Sequence, residues 1–104
     1  MNLSRNQISA DGLIFLAEAL EINHSLKILN LSQNFIREGG IESFVRALNN
    51  NTSLQELILS LNRINNPGIS TLSGFLAVNN TLKILDLSKN AFSDGGFVEF
   101  AKGI

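Results

Sequence analysis

The residues able to do chemistry in this chain are few, and their spacing limits what they can do. One histidine, His24, follows Glu21 by three positions. A metal site needs further ligands at turn or helix spacing, and none accompanies this pair. There is no phosphate-cradling G-x-x-x-x-G-K-[ST] loop, no G-x-S-x-G nucleophile elbow and no carboxylate pair spaced for acid–base work. Gly39-Gly40 and Gly95-Gly96 precede apolar stripes, where backbone N–H groups could hold an anion. A recurring turn already accounts for both pairs. Neither an enzyme activity nor a cofactor is expected. The polar group that does recur is an amide: Asn6, Asn34, Asn62 and Asn90 stand twenty-eight residues apart. An amide donates and accepts at once. A column of them therefore suits backbone groups left over where neighbouring turns of chain meet.

The elements that must carry those amides are written in the same period. Leu26–Ile36 reads L-K-I-L-N-L-S-Q-N-F-I, Leu54–Ile64 reads L-Q-E-L-I-L-S-L-N-R-I, and Leu82–Phe92 reads L-K-I-L-D-L-S-K-N-A-F. M-N-L-S-R-N-Q-I opens the chain as a shortened copy. The alternating leucines predict strands near 28–31, 56–59 and 84–87, with Met1 to Ser4 as a fragment of a fourth. The period then changes. Leu13, Leu16, Ala17 and Leu20 form one helical stripe; Ile41, Phe44, Val45 and Leu48 form the next. Ile69, Leu72, Ser73 and Leu76, then Phe97, Phe100, Ala101 and Ile104, complete the set. A strand and a helix in so few residues cannot bury an apolar side alone, but stacked copies can. Helices are wider than strands, so the stack should curve with its sheet inside.

Bulk composition bounds the partners. The formal charge is −1 over 104 residues, which argues against nucleic acid. No apolar run is long enough to span a bilayer, so no membrane partner is expected. There are no cysteines, which suits a reducing compartment. The first residues lack the basic-then-apolar layout of a secretion signal, and a cytoplasmic location is expected. Asn2, Asn23, Asn30, Asn50, Asn51 and Asn79 all head N-x-S/T triplets. A chain so rich in Asn, Ser and Thr produces them by chance.

The arrangement L-x-x-L-x-L-x-x-N-x-[IF] at 26–36, 54–64 and 82–92, each followed by a helical stripe, resembles the leucine-rich repeat family. The repeat length is similar to the strand-and-helix subclass of ribonuclease inhibitor, Ran GTPase activators and nucleotide-binding immune sensors. The resemblance implies an α/β fold, a right-handed solenoid or horseshoe arc with a parallel sheet on the concave face and α-helices on the convex face. Residues 1–104 then form one domain, with a partial repeat at 1–25 and repeats at 26–53, 54–81 and 82–104. Neither end carries a polar cap. The chain is therefore read as part of a longer array, with end-to-end self-association as the alternative.

With the leucines assigned to the core, the inner sheet face is left for binding. A protein partner is expected there, with Ile28, Asn30, Ser32, Glu56, Ile58, Ser60, Leu61, Ile84, Asp86 and Lys89 as the contact residues. Four of them are apolar and rimmed by charge, the anatomy of a protein-binding patch. Two other roles are open: regulation of a GTPase, which would draw on Arg37 and Arg63, and a purely structural segment of a larger assembly. Smaller expectations follow from the columns. Glycine before each stripe should mark a sharp bend into the helix. Asn23, Asn51 and Asn79 should end helices in the left-handed region. Gly74 should make room for Phe75, which stands where other repeats have Ala19, Ala47 and Gly103. Ile14 and Phe15 should lie exposed on the first helix.

Overall fold

The computed structural model describes residues 1–36, 38–78 and 81–90, with the side chains of 38 and 39 set aside. The last helical stripe, from Phe97 to Ile104, lies outside the described residues, as do Arg37 and Asn79. Among the described residues, three helices alternate with three strands: α1 (Ala10–Ile22), β1 (Ile28–Asn30), α2 (Glu38–Asn49), β2 (Glu56–Ile58), α3 (Asn66–Val78) and β3 (Ile84–Asp86). The strands form one parallel sheet in the order β1-β2-β3. Asn2 bridges Asn30 in the same sense, so the opening residues add the edge of a fourth strand. The fold is the expected α/β solenoid, sheet on one side and helices on the other.

Each strand is three residues long and pairs in register with its neighbour. Ile28 pairs with Glu56 and Glu56 with Ile84; Leu29, Leu57 and Leu85 form the next row, and Asn30, Ile58 and Asp86 the last. The backbone ladder then continues past the strands. Leu31 N–H donates to Ile58 O and Leu59 N–H to Asp86 O, both at 2.8 Å. Leu29, Leu31, Leu57 and Leu59 are fully buried beneath the sheet, where they meet Leu13, Phe44 and Leu72 from the helices. Stacking of copies thus removes apolar surface from water that a lone strand and helix would leave exposed. No helix among the described residues is long and apolar enough to cross a membrane.

The glycines work differently from the bend read in the sequence. Gly12, Gly40 and Gly68 fall inside the first turns of α1, α2 and α3, and none of the described glycines has a positive φ. At Gly40 the reason is close approach: a Cβ there would meet Leu13 Cδ2 at 3.0 Å and Ala10 Cα at 3.1 Å. The missing side chain lets α2 settle against α1. Gly74 is the opposite case. Beside the buried Phe75, a Cβ on Gly74 would meet nothing within 4 Å beyond its two chain neighbours. At the start of α3, Pro67 occupies a first-turn position that needs no N–H donor. Asn65 caps that end, accepting from Gly68 N–H at 3.3 Å.

Candidate functional site

Two sets of asparagines clamp the repeats, one at each end of the strands. In the turn after each strand, Asn34 and Asn62 are buried. Asn34 Oδ1 accepts from Asn6 N–H and Ile8 N–H, both at 2.9 Å. Its Nδ2 donates to Leu3 O, Leu31 O and Ser32 O. Asn62 repeats the pattern one turn later, accepting from Asn34 and Ile36 and donating to Leu31, Leu59 and Ser60. Asn90 accepts from Ile64 N–H and donates to Leu59 O, Leu87 O and Ser88 O. Asn6, at the edge, is exposed, and its amide donates to Ser4 O alone.

The second set sits where helix turns into strand. Asn23 ends α1 in extended backbone, φ −90° and ψ 125°, not in the left-handed region. Its Oδ1 instead accepts from Ser25 N–H and Leu26 N–H. Asn51 makes the same turn with Ser53 and Leu54, while its Nδ2 reaches back to Leu20 O at 2.9 Å and Asn23 O at 2.8 Å. Side-chain oxygens that turn back on the backbone two residues on are what Asn offers best. The N-x-S triplets at Asn2, Asn23, Asn30 and Asn51 are all this turn. The twenty-eight-residue spacing of Asn23, Asn51 and Asn79 was the sequence signal for this second ladder.

The open face of the sheet carries the expected contact residues in four columns. Ile28, Glu56 and Ile84 form the first; Asn30, Ile58 and Asp86 the second. Ser32 and Ser60 follow, flanked by Ser4 and Ser88. Leu61 and Lys89 belong to the fourth, with Arg5 and Gln33 before them. All four residues of this last column have φ between 56° and 59°, in the left-handed region. The serine column is not a row of idle hydroxyls. Ser4, Ser32 and Ser88 each donate Oγ–H to the residue two before: Asn2 at 2.7 Å, Asn30 at 2.8 Å and Asp86 at 2.7 Å. The Ser88 backbone N–H and hydroxyl hold the Asp86 carboxyl below its ordinary value.

The middle repeat breaks both polar columns. Ile58 stands where Asn2, Asn30 and Asp86 accept that hydrogen bond, and it can accept none. Leu61 stands among Arg5, Gln33 and Lys89. Ile28 is 49%, Ile84 54% and Leu61 40% exposed, with Ile58 half-buried between the first two on the diagonal. Beside this face, in the turns that lead into the helices, Phe35 is partly exposed and the Arg63 guanidinium lies 4.6 Å from its ring centroid. Phe35 was not among the residues read from the sequence as contacts. His24 is exposed in the α1–β1 turn, and Ile14 and Phe15 are exposed on α1.

The geometry agrees with comparisons to known proteins. Residues 2–17, 23–45, 50–73 and 78–101 match the family described as Leucine Rich repeat. No curated protein sequence matches the chain. A solved structure titled "Leiomodin-1 Actin-Binding Site 2 (ABS2)" is similar at a TM-score of 0.91 and 25% identity, covering 99% of this chain and 61% of that one. This chain therefore spans less than two thirds of that chain's length. With the family match running through all of its repeats, the chain belongs to the leucine-rich repeat family.

Proposed function

We propose that the chain is a protein-binding scaffold that engages its partner through the open sheet face, with Ile58 and Leu61 as anchors and Ile28 and Ile84 beside them. The observation that carries this reading is the change of chemistry in the middle repeat. An isoleucine for an acceptor at 58 forgoes the hydrogen bond that Asn2, Asn30 and Asp86 supply to the serine two residues on. A leucine at 61 holds a left-handed backbone, which costs an L-residue about 1–2 kcal/mol, and then leaves much of its side chain in water. Both enlarge an apolar centre ringed by Lys27, Glu56, Lys83 and Lys89, the pattern of a binding patch. The family and the similarity to a leiomodin structure titled as an actin-binding site favour a binding module over an enzyme, and they make actin the first partner to test.

The test is calorimetric titration of monomeric actin with the native chain and with Ile58→Asp. A carboxylate at the centre of a desolvated patch should weaken binding by at least about tenfold. Circular dichroism should show an unchanged fold, because Ile58 is only half-buried. Binding held equally well by the folded variant would assign recognition to another surface. If actin is not bound at all, actin is the wrong partner, and the same pair of chains is carried to others.

A further inference from the structure

The chain is close to neutral, but its charges are not mixed. Among residues whose side chains are described, the strands and adjoining turns carry Arg5, Lys27, Arg63, Lys83 and Lys89, all exposed. Against these five cations stand two half-buried carboxylates, Glu56 and Asp86. The helices carry four exposed carboxylates, Asp11, Glu18, Glu21 and Glu42, against Arg46. By those counts the sheet side nets +3 and the helix side −3. Among the described residues, a near-zero sum conceals two faces of opposite charge.

Nothing within the described residues neutralises the sheet side. Arg5 bonds to the amide oxygen of Gln33, a neutral partner. Arg63 lies over the Phe35 ring. Lys27, Lys83 and Lys89 make no ion pair with any described residue. Of the two carboxylates, Asp86 is already engaged by the Ser88 N–H at 3.0 Å and hydroxyl at 2.7 Å. The cations also frame the apolar centre. Lys27 and Lys83 directly precede Ile28 and Ile84, and Lys89 occupies the position of Leu61 in the next repeat.

We infer that the occupant of the sheet face is an acidic protein segment, one that places apolar side chains over Ile28, Ile58 and Ile84 and carboxylates against Lys27, Lys83 and Lys89. This rests on the sheet face being the binding surface, and it adds the chemistry of the partner. Opposite charge at the rim steers encounter and fixes orientation, while the apolar centre supplies the hold. A protein segment fits better than a nucleic acid because no aromatic stands among the outward strand positions, so bases would find no stacking platform.

The experiment is selection of a random dodecapeptide display library on the native chain, on Lys27→Glu/Lys83→Glu/Lys89→Glu and on Ile58→Asp. All four positions are surface positions, and thermal melts by circular dichroism establish that each variant is folded. Peptides enriched on the native chain should combine Asp or Glu with apolar residues. The triple charge reversal should weaken the selected peptides by about tenfold or more, and raising salt from 0.05 to 0.5 M, on the order of a threefold shorter screening length, should weaken them as well. Enriched peptides without acidic bias that still fail on Ile58→Asp would overturn the acidic partner and keep the face. Peptides indifferent to both variants would overturn both readings. A single-stranded oligonucleotide bound by the native chain and lost in the triple variant, with no peptide enriched, would reassign the face to nucleic acid and overturn the inference.

Discussion

Replacing Asn62 by alanine tests the inner ladder most sharply, because the cost can be worked out group by group. The side chain makes five hydrogen bonds, two accepted and three donated. The three carbonyls it serves each keep another donor. Leu31 O retains Asn34 Nδ2, Leu59 O retains Asn90 Nδ2, and Ser60 O retains the Gln33 N–H. The loss therefore falls on two N–H groups, those of Asn34 and Ile36, for which Asn62 Oδ1 is the acceptor at 3.1 and 3.2 Å. A buried donor left without a partner costs about 1–3 kcal/mol. Two such donors, with one water admitted to the vacated space, give about 3 kcal/mol in all. In a domain of this size that lowers Tm by roughly 12–24 °C. Asn6→Ala is the internal control. Its amide is exposed and donates only to Ser4 O, so the expected loss is under about 0.5 kcal/mol. Thermal melts of the two variants side by side decide the matter: equal losses would mean that the ladder is not what holds adjacent turns together.

Three further outcomes follow from the structure. Gly74→Ala should stabilise the chain by about 0.5–1 kcal/mol, since a Cβ there meets nothing within 4 Å; a lower denaturant midpoint would contradict the reading of that position as open. Gly40→Ala should destabilise by about 1–3 kcal/mol, because its Cβ would press on Ala10 Cα at 3.1 Å; chemical denaturation would show this, and an unchanged midpoint would mean that α1 and α2 are not closely apposed there. Asp86→Asn keeps the turn that Asn30 makes with Ser32 but removes a carboxylate whose pKa is lowered by Ser88. A depressed carboxylate pKa stabilises the fold above the unfolded-state value, and the contribution disappears as pH falls through the folded-state value. The native chain's advantage over Asp86→Asn should therefore be present at neutral pH and vanish in acid; a difference independent of pH would refute it.

The fold was legible because its two periods are written in residues with one job each. Leu29, Leu31 and their counterparts repeat at strand spacing, and Ile41, Phe44, Val45 and Leu48 at helix spacing. Only stacking buries both. What the columns did not disclose was why small and polar residues recur. Gly40 looks like a turn glycine in one dimension, and the distance from its missing side chain to α1 exists only after two repeats are stacked. Asn51 looks like a helix stop, and its hold on Leu20 O and Asn23 O likewise appears only between repeats. On the sheet face, sequence alternation gave the outward positions. The contrast that makes Ile58 informative needed the hydrogen bonds of Asn2, Asn30 and Asp86 to be seen. Charge segregation was hidden for a similar reason: a sum over the chain cancels what the fold separates.

The ladders also give the array a direction. Each buried amide accepts from N–H groups that belong to the repeat before it: Asn34 serves Asn6 and Ile8, and Asn62 serves Asn34 and Ile36. Peeling a repeat away from its C-terminal side leaves behind backbone donors that open to water. Peeling from the N-terminal side leaves behind an amide oxygen that opens to water. The two ends of a stack accordingly present different chemistry, backbone donors at the C-terminal end and a side-chain amide oxygen at the N-terminal end, so a further unit can dock in one sense only.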